Sequence, residues 1–228
     1  MIITPPNIVS RHVKAFFTTR EFNGSYDHMS NAVAHELNIP AGKIYLPVQM
    51  HTNRIQVLVA DTTPEVADAV ITKRKEIYVG VLVADCVPIL LYDKEQEVIG
   101  AVHAGWRGTA QRILKETIMT MQERLFSLPE NIYIAIGPSI RKCSYEVDKE
   151  VKDAVEHATG HGDYYSSSGD KYYIDLSSAN RIQALSTGIP ADNVWQSEDC
   201  TFCNPHKYYS YRHSGGGTGR QGGFIGMW

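Results

Sequence analysis

Two apolar, β-branched runs, Val87 to Tyr92 and Val98 to Val102, enclose the polar segment Asp93-Lys94-Glu95-Gln96. The pattern predicts a β-hairpin, and a hairpin constrains which flanking side chains can meet. A turn centred between Lys94 and Glu95 sets Cys86 opposite His103 on one face of the sheet. Opposed residues bring their Cβ atoms to roughly 4.5–5.5 Å, close enough for a thiolate and an imidazole to share a metal ion or a proton. A slip of one residue would send the two side chains to opposite faces. Pro88 lies inside the first run, and because proline cannot donate to a ladder it favours an edge strand or a bulge.

The remaining pattern surrounds this hairpin with strands and helices in irregular alternation. Strands are expected at Val13 to Thr18, Ile44 to Val48, Ile55 to Val59, Ala69 to Thr72, Ile77 to Val83, Ile132 to Ile136, Tyr172 to Ile174, Val194 to Gln196, Tyr208 to Arg212 and Phe224 to Trp228. Helical spacing marks Asp27 to Leu37, Thr109 to Leu125, Val147 to Ala158 and a segment from an Asp175 N-cap through Leu185. Arg20 to Ser25 reads as a loop. The fold class expected is α/β (α+β), a single globular unit over residues 1–228 with helices packed on mixed β-sheets. Hydrophobic residues at 43% and charged residues at 21% suit a folded globular chain.

Net charge of −3 offers no basic footprint for nucleic acid, and no apolar run is long enough to span a bilayer. Met1 to Lys14 carries two early prolines and no signal-peptide core, so a cytoplasmic location is expected. Four cysteines without a secretory signal favour free thiols or metal ligands over a disulfide framework.

Four constellations carry chemistry. His51, Cys86 and His103 offer one thiolate and two imidazoles, a set zinc prefers, and three protein ligands leave a fourth position for water or substrate. The alternative is a buried cysteine with two hydrogen-bonded histidines. Gly105-Trp106-Arg107-Gly108 ahead of a helix is a candidate anion cradle, or simply a tight turn with Trp106 on the core. Cys200 and Cys203, with His206 and His213, contain a single CxxC and either form a structural zinc site or are ordinary thiols. Gly217 to Gly222 matches GxGxxG formally, but only six residues follow it, which rules out a dinucleotide-binding unit. Arg212 and Arg220 flank that segment and can reach an anion. Asp85 either orients a ligand, accepts a proton or caps a turn; Arg20 binds phosphate or faces solvent.

Six motifs extend this reading: FFTTR (Phe16 to Arg20), QMHTNRI (Gln49 to Ile55), ADCVPILLYD (Ala84 to Asp93), GAVHAGWRGT (Gly100 to Thr109), IGPSIRKCSYEV (Ile136 to Val147) and YYSYRHSGGGTGRQ (Tyr208 to Gln221). Together they resemble the bacterial laccase-domain family, described both as polyphenol oxidases and as purine nucleoside phosphorylases. One departure is the shorter segment after Arg20, which lacks the family's paired glycines. The resemblance implies a single laccase-domain (YfiH-like) catalytic unit with metal ligands at His51, Cys86 and His103. It further implies phosphorolysis of adenosine, inosine, guanosine and methylthioadenosine, with adenosine deamination as a second activity. The expected cofactor is zinc, with copper as the alternative, and the expected partners are a nucleoside and phosphate; a homodimer is compatible with it. On that basis Cys86, His103 and Asp85 are the expected catalytic groups, and Arg20, Arg107 and Arg212 the expected substrate or phosphate contacts. Competing readings are a copper-dependent polyphenol oxidase, a Cys-His hydrolase or amidase acting on a cell-wall precursor, and a metal-binding regulatory module. A trinuclear copper centre needs closely spaced histidines, and no His-x-His occurs here.

Overall fold

Strands Ile77–Val83, Val87–Asp93, Val98–Ala104 and Gln221–Met227 are buried at every position. A strand buried on both faces has no polar side, which explains why these segments read as continuous apolar runs rather than alternating ones. The computed structural model describes residues 1–22, 26–60 and 62–228. Asn23-Gly24-Ser25, part of the loop expected after Arg20, lies outside the described residues.

Two large mixed sheets stack face to face. In the first, Ile2–Ile3, Val13–Thr18, Gln221–Met227, Ile77–Val83 and Ile44–Tyr45 lie side by side in that order. The second runs Val194–Gln196, Ile132–Ile136, Val87–Asp93, Val98–Ala104, Ala69–Thr72 and Ile55–Val57. Alternate side chains separate into distinct cores. Phe17, Val79 and Ile225 of the first sheet meet Leu90, Ile99 and Ala101 of the second. On the outer face of the first sheet, Phe16, Tyr78 and Phe224 pack against Met29 and Val33 of the helix Tyr26–Leu37. The outer face of the second, including Ile89, Leu91 and Val102, packs against helices Ile113–Leu125 and Leu176–Leu185. The layers therefore run helix, sheet, sheet, helix, a mixed α/β fold as the sequence pattern implies. Among the described residues no helix is long and apolar enough to cross a membrane.

The hairpin forms, with a register two residues from the one expected: Pro88, not Cys86, faces His103, and Asp93 faces Val98. The turn occupies Lys94 to Glu97. Asp93 Oδ1 accepts hydrogen bonds from the backbone N–H of Glu95 at 2.8 Å and of Gln96 at 3.0 Å, and Glu97 takes a left-handed conformation at φ 51°. These local bonds centre the turn one residue later. Because the slip is two residues and not one, Cys86 stays on the face of His103, as a diagonal neighbour. Pro88 sits in an interior strand; its carbonyl accepts from Gly137 N at 2.8 Å, just past the end of strand Ile132–Ile136.

Three further expectations are corrected. The helix expected from Thr109 to Leu125 is broken into Trp106–Ala110 and Ile113–Leu125 by Arg112, left-handed at φ 59°. Gln183 Nε2 donates to the Thr109 carbonyl at 3.0 Å, and Arg112 Nε donates to Ala158 O at 3.1 Å, at the C-terminal end of helix Lys149–Thr159. These two anchors bend the chain where a continuous helix would run. Tyr208 to Arg212 is not a strand: Tyr211–Ser214 is a helical turn capped by Ser210, whose side chain accepts from His213 N. The helix expected at Val147 begins at Lys149, since Glu146–Val147 pairs as a short strand with Tyr172 and Tyr173.

Candidate metal centre and its cavity

The ends of the hairpin strands and the loop ahead of Ile55–Val57 bring His51, Cys86 and His103 together. Their ligand atoms all lie within 4.8 Å of one another. The two imidazoles meet edge to face, ring centroids 4.8 Å apart. Accessibility grades across the group: His103 is buried, Cys86 partly exposed and His51 exposed, so the cluster opens to solvent on the His51 side.

Asp68, wholly buried at the start of strand Ala69–Thr72, organises this arrangement. Its Oδ1 binds His103 Nδ1 at 2.8 Å and accepts from His51 N at 3.1 Å, while Oδ2 accepts from Thr52 N at 2.6 Å, Thr52 Oγ1 at 2.8 Å and Met50 N at 3.3 Å. One carboxylate thus fixes the His103 ring, leaves its Nε2 for a ligand, and holds the 50–52 loop in which His51 adopts φ 56°. A left-handed non-glycine residue of this kind persists when its surroundings over-determine it. Burial alone would raise the Asp68 pKa, but hydrogen bonds from His103 and Thr52 outweigh it and hold the group at about 2.

Cys86 and His103 form a coupled pair. Burial disfavours both charges, yet His103 and His51 draw the Cys86 thiol down while Cys86 and Asp68 push the His103 imidazole up. Metal-free, the pair is a thiolate facing an imidazolium; a zinc ion would take the thiolate and displace the Nε2 proton, and a histidine ligand with its other nitrogen on a carboxylate is the usual supporting arrangement. The donor set therefore fits zinc.

Gly105 leaves the space for this cluster. A Cβ there would lie 3.0 Å from Cys86 Sγ and 3.3 Å from His51 Cδ2. Gly105 caps helix Trp106–Ala110 at φ −75°, so alanine would bring crowding without backbone strain. Gly105→Ala is expected to weaken metal binding at this cluster roughly 10- to 100-fold with little loss of stability. Chelator competition and a melting curve together check this; an unchanged metal affinity would show that the space is not needed.

The cluster lies in the wall of a cavity of about 550 Å³, lined also by Gln49, Leu82, Asp85, Tyr145, Arg212 and Arg220. That volume falls in the range of small-molecule sites. Asp85, left-handed at φ 85°, has both oxygens engaged: Oδ1 accepts from Thr201 Oγ1 at 2.6 Å and Oδ2 from Arg212 N at 2.7 Å. Its carboxylate thus pins the Arg212 turn to the cavity. The Arg212 guanidinium lies 5.2 Å from the centre of the Tyr145 ring and donates to Glu146 O at 2.9 Å. Burial pushes the Tyr145 hydroxyl up to about 12, so it stays protonated.

Of the arginines expected to hold phosphate, Arg212 lines the cavity; Arg20 and Arg107 are not among its lining residues. Arg20 packs over Tyr209 at 5.0 Å and donates to Pro205 O. Arg107 stacks on Trp106 at 4.4 Å. The glycine-rich segment is a loop only to Arg220, since Gln221 and Gly222 open an interior strand. His206 and His213 do not join Cys200 and Cys203; the third member of that group is Cys143.

Known proteins share this architecture. A family model described as multi-copper polyphenol oxidoreductase laccase matches residues 25–228. The chain belongs to that family. Within it, the chain is 34% identical over 191 residues to the purine nucleoside phosphorylase YlmD of Bacillus subtilis, covering 78% of this chain and 69% of that one. It is 32% identical over 201 residues to the adenosine deaminase RL5 of an unknown prokaryotic organism, covering 82% and 76%. The crystal structure of YlmD from Geobacillus stearothermophilus superposes with a TM-score of 0.89 at 29% identity, covering 97% of this chain and 93% of that one. The names of these family members are those of enzymes, which supports an enzymatic role here.

Asp68, Gln49, Tyr145 and Cys143 were not singled out by sequence reasoning. Asp68 had a signal: a lone carboxylate opening the apolar run Ala69-Val70-Ile71 enters the interior only with partners. Gln49 had none, for it acts through both ends of its amide on the Leu82 backbone, each bond 2.8 Å.

Proposed function

We propose that the chain is a zinc-dependent purine nucleoside phosphorylase that also deaminates adenosine, working in the cytoplasm on a free nucleoside and phosphate. The observation that carries the reading is the convergence of one sulfur and two imidazoles on a nucleoside-sized cavity whose wall also holds Arg212 and Arg220. His51, Cys86 and His103 would hold the metal. Bound there, zinc supplies a Lewis acid that polarises an oxygen and eases its deprotonation.

The chain's own groups account for the rest. Asp68 keeps His103 in the tautomer that presents Nε2. Arg212 and Arg220 place two fixed cations where a phosphate can bind, and Tyr145 and Tyr211 offer aromatic faces for a purine. Asp85 acts through the Arg212 backbone and so belongs to positioning. In phosphorolysis a phosphate oxygen forms a bond to C1′ as the C1′–N9 bond breaks, and the electron pair leaves with the base. In deamination water adds at C6 and ammonia departs, giving inosine.

Incubating the zinc-loaded protein with adenosine tests both reactions. Adenine and ribose 1-phosphate should form only when phosphate is present, while inosine should form with or without it. If the loaded protein turns over no purine nucleoside, the proposal falls. Oxidation of phenols by several coppers is the weaker reading, because each group of ligand side chains among the described residues holds at most two histidines.

A further inference from the structure

A second group of ligating side chains lies outside the cavity. Two tight turns, one at 141–144 and one at 200–204, face each other at the edge of the second sheet. Ser144 N and Tyr145 N bond to Arg141 O in the first, and Asn204 N bonds to Cys200 O in the second. Between them the sulfurs of Cys143, Cys200 and Cys203 all lie within 4.8 Å of one another, with Cys143 and Cys203 3.5 Å apart. All three are free thiols. Four thiolates or fewer around zinc at about 2.3 Å in tetrahedral geometry would place their sulfurs about 3.8 Å apart, so the observed spacing already approximates that of a loaded site. A disulfide would need the Cys143 and Cys203 sulfurs to close to about 2.05 Å.

The surrounding backbone is arranged for a bound thiolate. Arg141 N donates to Cys200 Sγ at 3.4 Å. A backbone donor aimed at the first sulfur of a CxxC turn stabilises a charged sulfur. Cys200 is buried, whereas Cys143 and Cys203 are exposed, so a metal held here would have its fourth position toward solvent.

We propose that Cys143, Cys200 and Cys203 form a second, structural metal site that takes a soft, thiolate-preferring cation, for which zinc is the probe. The site would join the two turns that shape the first cavity. Thr201, next to Cys200, holds Asp85, and Tyr145, two residues from Cys143, lies under the Arg212 guanidinium. A metal at the three sulfurs ties the Arg212 side of the cavity to the sheet edge without touching substrate. It differs from the first centre in chemistry: three sulfurs and no imidazole, against one sulfur and two imidazoles.

The test uses the full chain under reductant. Cys86→Ala removes the only sulfur of the first centre, so any thiolate-to-metal signal it retains comes from the second. Loaded with cobalt(II), the Cys86→Ala protein should keep a near-ultraviolet thiolate-to-cobalt charge-transfer band. Loaded with zinc, it should hold about one tightly bound equivalent per chain by native mass spectrometry. Adding Cys143→Ser and Cys203→Ser, both at exposed positions, should abolish the band and release that equivalent. Cys143→Ser alone, in the same background, should weaken the band and loosen the zinc, with circular dichroism confirming the fold. A folded Cys86→Ala protein with no charge-transfer band would overturn the proposal, as would zinc content unaffected by the cysteine substitutions. An intact mass lower by two hydrogens under reductant, mapping to a Cys143–Cys203 disulfide, would overturn it as well.

Discussion

Replacing Cys86 by alanine is expected to remove the metal bound between His51 and His103 and to lower nucleoside turnover by on the order of 10³-fold or more, with the fold retained. The size of the effect follows from the donor count. Three protein ligands hold the proposed zinc, and Cys86 contributes the only charged one; two neutral imidazoles, one of them exposed, bind far more weakly. The stability cost is small by comparison, because the thiol is partly exposed and borders the space that Gly105 leaves open. Cys86→Ser should lose nearly as much activity, since a hydroxyl does not ionise as the thiol does. Zinc content, steady-state rates and far-ultraviolet circular dichroism measured on the same preparations decide the matter. A folded alanine variant with full metal and full turnover would sink the assignment of this centre.

How far the sequence foretold this centre depends on which physical rule set each feature. Strands such as Val13–Thr18, Ala69–Thr72, Ile77–Val83 and Ile132–Ile136 match their expected bounds, because short runs rich in β-branched and aromatic residues leave few alternatives. The hairpin was legible in kind and in face but not in register. Its turn is set by the Asp93 carboxylate binding the next backbone amides, a local bond that apolar patterning does not report. The even-numbered slip preserved the outcome that matters, Cys86 and His103 on one side of the sheet. Features decided by long-range contacts were hidden. The break at Arg112 depends on acceptors 45 and 46 residues away, and the gathering of Cys143 with Cys203 spans 60 residues. Tyr208 to Arg212 looked like a strand because of its tyrosines, yet Ser210 and Asp85 supply caps that a strand does not use.

The role first given to Asp85, orienting a ligand, belongs by geometry to Asp68, and substitution there is expected to act on both stability and metal binding. Asp68→Ala leaves the His103 Nδ1–H and the backbone N–H groups of Met50, His51 and Thr52 without their acceptor inside the fold. Removing one partner of a buried charged network costs about 3–5 kcal/mol, and at about 2–4 °C per kcal/mol for a chain of this length the melting temperature should fall by roughly 6–20 °C. Zinc affinity should drop a further 10- to 100-fold or so, since His51 and His103 both lose their orientation. Asp68→Asn keeps the shape but loses the charge, so it should lie between wild type and alanine in both measurements, with excess zinc restoring much of its turnover. Acid should narrow the difference between wild type and the asparagine variant. The folded Asp68 pKa of about 2 is below the ordinary 3.8, so its contribution, roughly 2 kcal/mol at 1.36 kcal/mol per unit, is complete above about pH 4. It declines as pH falls from the unfolded value to the folded one, because over that interval the unfolded chain takes up a proton that the native carboxylate does not, and it is lost once pH has fallen through the folded value. Melting temperatures of the two proteins should converge between about pH 4 and pH 2; a gap that stays constant over that interval would place the stabilising charge on another residue.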